Sequence, residues 1–162
     1  MTGERVLIVD DDPALLQALP QTLRLRMSGV TVDTADSALA ALERISEREY
    51  DAIVTDIKMP GMDGLALLAE ILARRPDTPT VMITGHGEYD LALQCLRRGA
   101  YDFIQKPIER DRFVASLHEA IKAHALKRQM KDRSLALARC VSELERVAVS
   151  LGREPPPARG AP

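Results

Sequence analysis

Three acidic side chains and one lysine stand where short apolar runs stop. Val6-Leu7-Ile8-Val9 ends at Asp10-Asp11-Asp12-Pro13, and Ala52-Ile53-Val54-Thr55 ends at Asp56. Thr80-Val81-Met82-Ile83 ends at Thr84-Gly85-His86-Gly87, and Phe103-Ile104-Gln105 ends at Lys106-Pro107. At ~4 Å and an effective dielectric near 20, each like-charge carboxylate pair costs on the order of 4 kcal/mol. A fold keeps such neighbours cheaply when they are solvated or share a cation. Asp10, Asp11 and Asp56 with a nearby backbone carbonyl make an all-oxygen donor set, which suits Mg²⁺. No His or Cys accompanies them, which argues against Zn²⁺. A carboxylate beside Mg²⁺ can attack phosphorus and form an aspartyl phosphate. Lys106 would balance charge on the transferring phosphoryl oxygens, and the Thr84 hydroxyl and Gly85 amide could donate to them.

That chemistry needs elements which bring the four ends together. Each apolar run reads as a buried strand, and each is followed by an apolar pattern at helical spacing. After Pro13, suited to a first helical turn, come Leu15, Leu16, Leu19, Leu23 and Met27. Pro20 inside this pattern removes a hydrogen bond and predicts a kink. Val30 to Thr34 alternates as a second strand. Ser37 is an N-cap for a helix carrying Leu39, Leu42 and Ile45. Asp63 caps a helix from about Gly64 to Ala73, with Leu65, Leu68, Ile71 and Leu72 inward. A helix from about Tyr89 to Arg98 has Leu91, Leu93 and Leu96 as its apolar positions. Ala100 to Ile104 is a short fifth strand. The last helix begins near Glu109 to Asp111, with Phe113, Leu117 and Ile121 toward the core.

Five β–α repeats in strict alternation predict an α/β fold with right-handed crossovers and helices on both faces of a parallel sheet. The doubly wound order 2-1-3-4-5 is the common five-strand solution. In that fold the carboxyl ends of the strands share one edge, so Asp10, Asp11, Asp56, Thr84 and Lys106 are expected to converge.

Composition narrows the class. The longest uncharged run, Pro13 to Leu23, is too short to span a bilayer, and the N-terminus lacks a signal-peptide pattern. Cys95 and Cys140 form no metal spacing and no framework of bridges, which suits a reducing cytoplasm. The absence of Trp and scarcity of other aromatics argue against base-stacking surfaces. Residues 1–121 carry 13 Lys and Arg against 20 Asp and Glu, whereas residues 122–162 carry nine against four. An acidic body with a basic tail suggests two segments with different tasks.

The segments VLIVDDD, IVTDIKMPGMDG, VMITGHG and YDFIQKP, in this order and spacing, resemble a response regulator receiver domain of two-component signalling. The resemblance covers residues 4 to about 122. It implies a flavodoxin-like sheet, with Asp56 as phosphoacceptor, Asp11 as a direct Mg²⁺ ligand and Asp10 as a ligand through water. It also implies the main-chain carbonyl of Lys58 as a ligand, and Thr84, Gly85 and Lys106 at the phosphoryl group. Phe103 stands at the family's switch aromatic, and Lys58 and His86 where receivers modulate phosphoryl loss. The family's output face is made by helix four, strand five and helix five, and its phosphodonor is a histidine kinase or phosphotransfer protein. The ITGHG and GAYDFIQKP wording is most similar to nitrogen- and dicarboxylate-responsive activators. Those continue into an ATPase and a DNA-binding helix pair, neither of which is expected within this chain, which has no GxxxxGK[ST] loop.

From residue 123 a heptad seam continues through Ala123, Met130, Leu137, Leu144 and Leu151. Leu126, Cys140 and Val147 fill the intermediate positions, and Arg133 interrupts them. This is a coiled-coil pattern, and a helix without a core of its own needs a partner. The readiest partner is a second copy. The expected organisation is therefore a receiver over 1–122, a helical extension over 123–151, and a disordered tail over 152–162. His118 and His124 are expected at the surface, since the αβ alternation excludes the helix bundle of a histidine phosphotransfer protein.

Two other functions remain to be weighed. A haloacid dehalogenase-type phosphatase wants a second Asp two residues after the nucleophile, where this chain has Lys58, so a phosphoacceptor rather than an enzyme is expected. A constitutive dimerisation or scaffold module with an unused receiver pocket is the other alternative.

Overall fold

The computed structural model describes residues 3–153. Its elements alternate strictly, as β1 (Arg5–Val9), α1 (Pro13–Arg26), β2 (Thr31–Ala35), α2 (Ala38–Glu47) and β3 (Ala52–Asp56). Then come α3 (Gly64–Arg74), β4 (Thr80–Thr84), α4 (Tyr89–Arg97), β5 (Asp102–Gln105) and α5 (Arg110–Ser150). The five strands pair in parallel in the order β2-β1-β3-β4-β5. The expected doubly wound, flavodoxin-like sheet with a long C-terminal helix is what forms. The chain divides into two units, Met1–Ala125 and Leu126–Pro162.

In the first unit, β3 and β4 are buried along their whole length and β1 from Val6 onward. Continuous apolar runs of this kind are what a strand covered on both faces requires. On one face Val6, Ile8, Val54, Val81 and Ile83 pack with Leu19 and Leu23 of α1 and Phe113 and Leu117 of α5. On the other, Leu7, Val9 and Ile53 pack with Leu42 and Ile45 of α2 and Leu67 and Ile71 of α3. Each fully buried aliphatic side chain contributes roughly 1.5–3 kcal/mol relative to exposure, so the sheet is held firmly where its loops emerge.

The helix caps are those the sequence suggests. Ser37 Oγ accepts from the Ala40 amide at 3.1 Å, and Asp63 Oδ1 accepts from the Ala66 amide at 2.9 Å. Helix α1 runs unbroken through Pro20, which is buried.

Several expectations need correction. Strands β2 and β5 lie further along the chain than expected: β5 is Asp102–Gln105, because Ala100 ends the turn after α4 and Tyr101 is exposed. The buried face of α4 is Ala92 and Cys95, whereas Leu93 and Leu96 are exposed. Helical phase and a close approach to the sheet select the small side chains, not the largest ones. Leu39 of α2 is likewise exposed, and at the start of α3 Leu67 is fully buried with Leu68, whereas Leu65 is only partly buried.

His124 is not a surface residue. It is buried, and its Nδ1 lies 3.2 Å from Asp51 Oδ1. Asp51 Oδ2 also accepts from the Arg5 amide at 2.8 Å. Asp51 thus ties the amino-terminal edge of the sheet to α5. His118 is exposed, as expected.

In the second unit, α5 exposes Leu126, Met130, Leu137, Leu144 and Val147, and Leu151 just beyond it is exposed too. The tail expected from residue 152 lies outside the described residues from 154 onward.

Candidate functional site

Strand register builds the site. Val9 pairs with Thr55, Asp56 with Ile83, and Thr84 with Gln105. Asp10 and Lys106 therefore each follow a paired residue at the same edge, and Asp56 and Thr84 are the last residues of their strands. All four expected side chains come to one edge from four strands, although Lys106 lies 50 residues beyond Asp56 in sequence.

Each carboxylate has a distinct environment. Asp10 is fully buried, and its amide continues the ladder to Ala35 O at 3.1 Å. Its Oδ1 accepts from the Asp12 amide at 2.9 Å, while its Oδ2 is buried with no partner among the described residues. Burial pushes the Asp10 carboxyl up to about 6, and the nearby charge of Asp56 adds to the rise. The Asp12 amide and Lys106 only partly oppose it. Asp11 is exposed, and Asp12 caps α1 by accepting from the Ala14 amide at 2.9 Å. One oxygen each of Asp10, Asp11 and Asp56 can be chosen so that all lie within 4.8 Å of one another. That cluster and the orphaned Asp10 oxygen fit a hard divalent cation, which favours oxygen donors.

Lys106 Nζ donates to Asp56 Oδ2 at 2.9 Å. Burial works against the ammonium's charge, but the hydrogen bond and charge of Asp56 more than offset it and raise its pKa. The backbone fixes the lysine, since its amide donates to Thr84 O at 2.8 Å. Asp56 is nearly buried, and the Ile57 amide after it donates to Ile83 O at 3.1 Å. The loop beyond Asp56 turns back so closely that a Cβ on Gly64 would lie 2.2 Å from the Asp56 carbonyl oxygen. Only glycine permits that approach.

Thr84 Oγ1 is buried and meets no partner among the described residues. The Gly85 amide donates to Glu88 Oε2 at 2.8 Å, and Glu88 is also ion-paired with Lys58 Nζ. These two contacts hold the Glu88 carboxyl below the usual carboxylate range. Sequence reasoning missed Glu88, because an acid at the start of a helix reads as an ordinary cap. Phe103 is half-buried and packs against the cluster of Ile57, Leu68, Met82 and Cys95. His86 is exposed on the β4–α4 loop.

The response regulator receiver domain model matches residues 6–118. The C4-dicarboxylate transport transcriptional regulatory protein DctD of Rhizobium meliloti is 45% identical over 133 residues, covering 82% of this chain and 28% of that protein. The DNA-binding transcriptional regulator NtrC of Escherichia coli is 35% identical, covering 78% of this chain and 27% of that one. Both are transcriptional regulators by name, and this chain spans less than a third of either. Among solved structures, NtrX from Brucella abortus superposes with a TM-score of 0.76 at 37% identity, covering 90% of this chain and 34% of that one. A receiver domain protein from Clostridium thermocellum superposes with a TM-score of 0.71 at 30% identity, covering 76% of this chain and 98% of that one. No helix among the described residues is long and apolar enough to cross a membrane. The shared edge of acids, threonine and lysine agrees with these likenesses, and the chain belongs to the response regulator receiver domain family.

Proposed function

We propose that the chain is a phosphorylation-operated switch in the cytoplasm, with Asp56 as phosphoacceptor and a histidine kinase or phosphotransfer protein as donor. The observation that carries this reading is the meeting of Asp56, Lys106, Asp10 and Asp11 at one edge of the sheet. A bond forms between an Asp56 carboxylate oxygen and phosphorus as the donor's P–N bond breaks, its electron pair returning to the imidazole nitrogen. Asp10, Asp11, Asp56 and the main-chain carbonyl of Lys58 would hold Mg²⁺. The ion would neutralise charge on the transferring phosphoryl oxygens. Lys106 Nζ already faces the reacting carboxylate, so it needs little rearrangement to meet the incoming oxygens. Thr84 Oγ1, buried and unpartnered, and the Gly85 amide are the further donors.

The Thr84 hydroxyl moving to the phosphoryl group would leave room for Phe103 to turn inward, altering the face of α4, β5 and α5. The receiver over 1–122 would pass that change to the extension over 123–151, whose exposed apolar seam suits a parallel homodimer. The chain acts as a phosphoacceptor in signalling, not as a turnover enzyme.

The test is labelling by acetyl phosphate or by a phosphorylated kinase, with Mg²⁺, of wild type and Asp56→Asn. Wild type should incorporate one phosphoryl group and the variant none. Equal labelling of both would end the assignment of Asp56.

A further inference from the structure

Glu88 has no part in the phosphoryl chemistry proposed above, yet it occupies one of the donors. The Gly85 amide, proposed above as a phosphoryl-oxygen donor, gives its single proton to Glu88 Oε2 at 2.8 Å. The carboxylate lies so close over Gly85 that a Cβ there would sit 2.9 Å from its carboxyl carbon. Lys58, two residues after Asp56, holds Oε1 in an ion pair. Glu88 is also the residue before α4, and its backbone anchors that helix: Ala92 N donates to Glu88 O at 3.1 Å. The Glu88 amide donates back to Gly85 O at 3.2 Å, closing a tight turn. Its side chain makes no capping bond to α4. The side-chain contacts therefore serve the loop beside Asp56, not the helix.

We infer that Glu88 is an internal anion that holds the Gly85 amide until a phosphoryl group displaces it. One N–H cannot make two full hydrogen bonds, and a carboxylate beside an arriving dianion is repelled. Both the carboxylate and a phosphoryl oxygen would make charge-assisted bonds to this amide, so the competition weakens net binding of the anion. Displacement frees the Gly85–Glu88 turn, and Lys58 loses or follows its partner. Arrival of an anion at Asp56 thereby reaches the residue that precedes α4 through one exchanged hydrogen bond. This inference rests on the phosphoryl-site reading and adds to it a competitor residue outside the metal and phosphoryl donors.

Titration with beryllofluoride in excess Mg²⁺, a non-covalent mimic of the phosphoryl group, tests it on the full chain. Glu88→Ala should half-saturate at a concentration lower by on the order of tenfold, and Glu88→Gln should fall between it and wild type. Without beryllofluoride, the Gly85 amide proton resonance should move upfield in Glu88→Ala, since its charged acceptor is gone. That readout does not depend on anion binding. If wild type binds beryllofluoride and Glu88→Ala binds it equally or more weakly, the competitor role is overturned while the phosphoryl site stands. An unmoved Gly85 resonance overturns the contact itself. If wild type binds no beryllofluoride, the phosphoryl-site reading fails and this inference goes with it.

Discussion

Lys106 Nζ lies 2.9 Å from Asp56 Oδ2, and the two residues are brought together by β4, which pairs with both of their strands. The lysine amide is pinned to Thr84 O at 2.8 Å, so its position is set by the sheet and not by the loop alone. A preorganised cation of this kind acts most where charge develops during transfer. Lys106→Met keeps the stem and removes the charge. The variant should fold, keep Asp56 accessible, and label from acetyl phosphate roughly 10²-fold more slowly. Rates within a few-fold of wild type would remove Lys106 from the proposed mechanism.

Asp10 makes a prediction about pH and stability together. Its carboxyl is raised to about 6 by burial and by neighbouring negative charge. The folded state therefore holds this proton more tightly than the unfolded chain does, where the carboxyl titrates near 4. In metal-free protein the resulting cost is fully present above about pH 6 and disappears as pH falls toward 4. Asp10→Asn should accordingly stabilise the metal-free protein at pH 7 by about 1–3 kcal/mol, with the gain shrinking in acid. Added Mg²⁺ should stabilise wild type, less so below pH 6 as protons compete for the carboxylate, and should stabilise the variant much less. Chemical denaturation at several pH values, with and without Mg²⁺, measures all of this. A variant less stable than wild type without metal would contradict the electrostatic account.

The opposite sign is expected at Asp33 on β2. Its Oδ2 accepts from Tyr50 Oη at 2.7 Å and meets Arg5 and Arg48 at 3.4 and 3.3 Å. Burial would raise this carboxyl, but the Tyr50 hydrogen bond and the two arginines hold it below the usual carboxylate range. The stabilisation is then present above about pH 4 and is lost as pH falls below it. Asp33→Asn should destabilise the protein by about 1 kcal/mol at pH 7, since the arginines are partly solvated. The difference from wild type should shrink as pH falls below about 4. Equal stability of the two proteins at pH 7 would show that the cluster is electrostatically idle.

Much of the receiver was legible because its signals are local. Strand ends marked by Asp10, Asp56, Thr84 and Lys106 follow from apolar runs and turn residues, and parallel order then forces them to one edge. The Ser37 and Asp63 caps were legible for the same reason. What escaped depends on distance in sequence or on helical phase. His124 reaches Asp51, 73 residues away, and nothing local marks either as paired. Asp33 collects partners from β1 and from beyond α2, which no window of sequence contains. Ala92 and Cys95 face the sheet where size alone favours Leu93 and Leu96. Glu88 escaped because its partner is a main-chain amide, which carries no side-chain signature.

The extension offers the sharpest solution test. Leu137 and Leu144 are one heptad apart on α5, and both are largely exposed. A lone amphipathic helix of this kind is marginal in water, and burying its seam against a second copy supplies what it lacks. Leu137→Lys with Leu144→Lys puts like charges into that seam from both chains. Sedimentation should find a dimer for wild type and a monomer for the double variant at the same concentration, with lower helical content. Arg133, the polar residue in the seam, should act conversely. Arg133→Leu adds an apolar side chain worth roughly 1.5 kcal/mol or more when buried and should shift the dimer midpoint to lower concentration. If wild type sediments as a monomer at all concentrations and neither variant changes its mass or helicity, the seam does not join two copies.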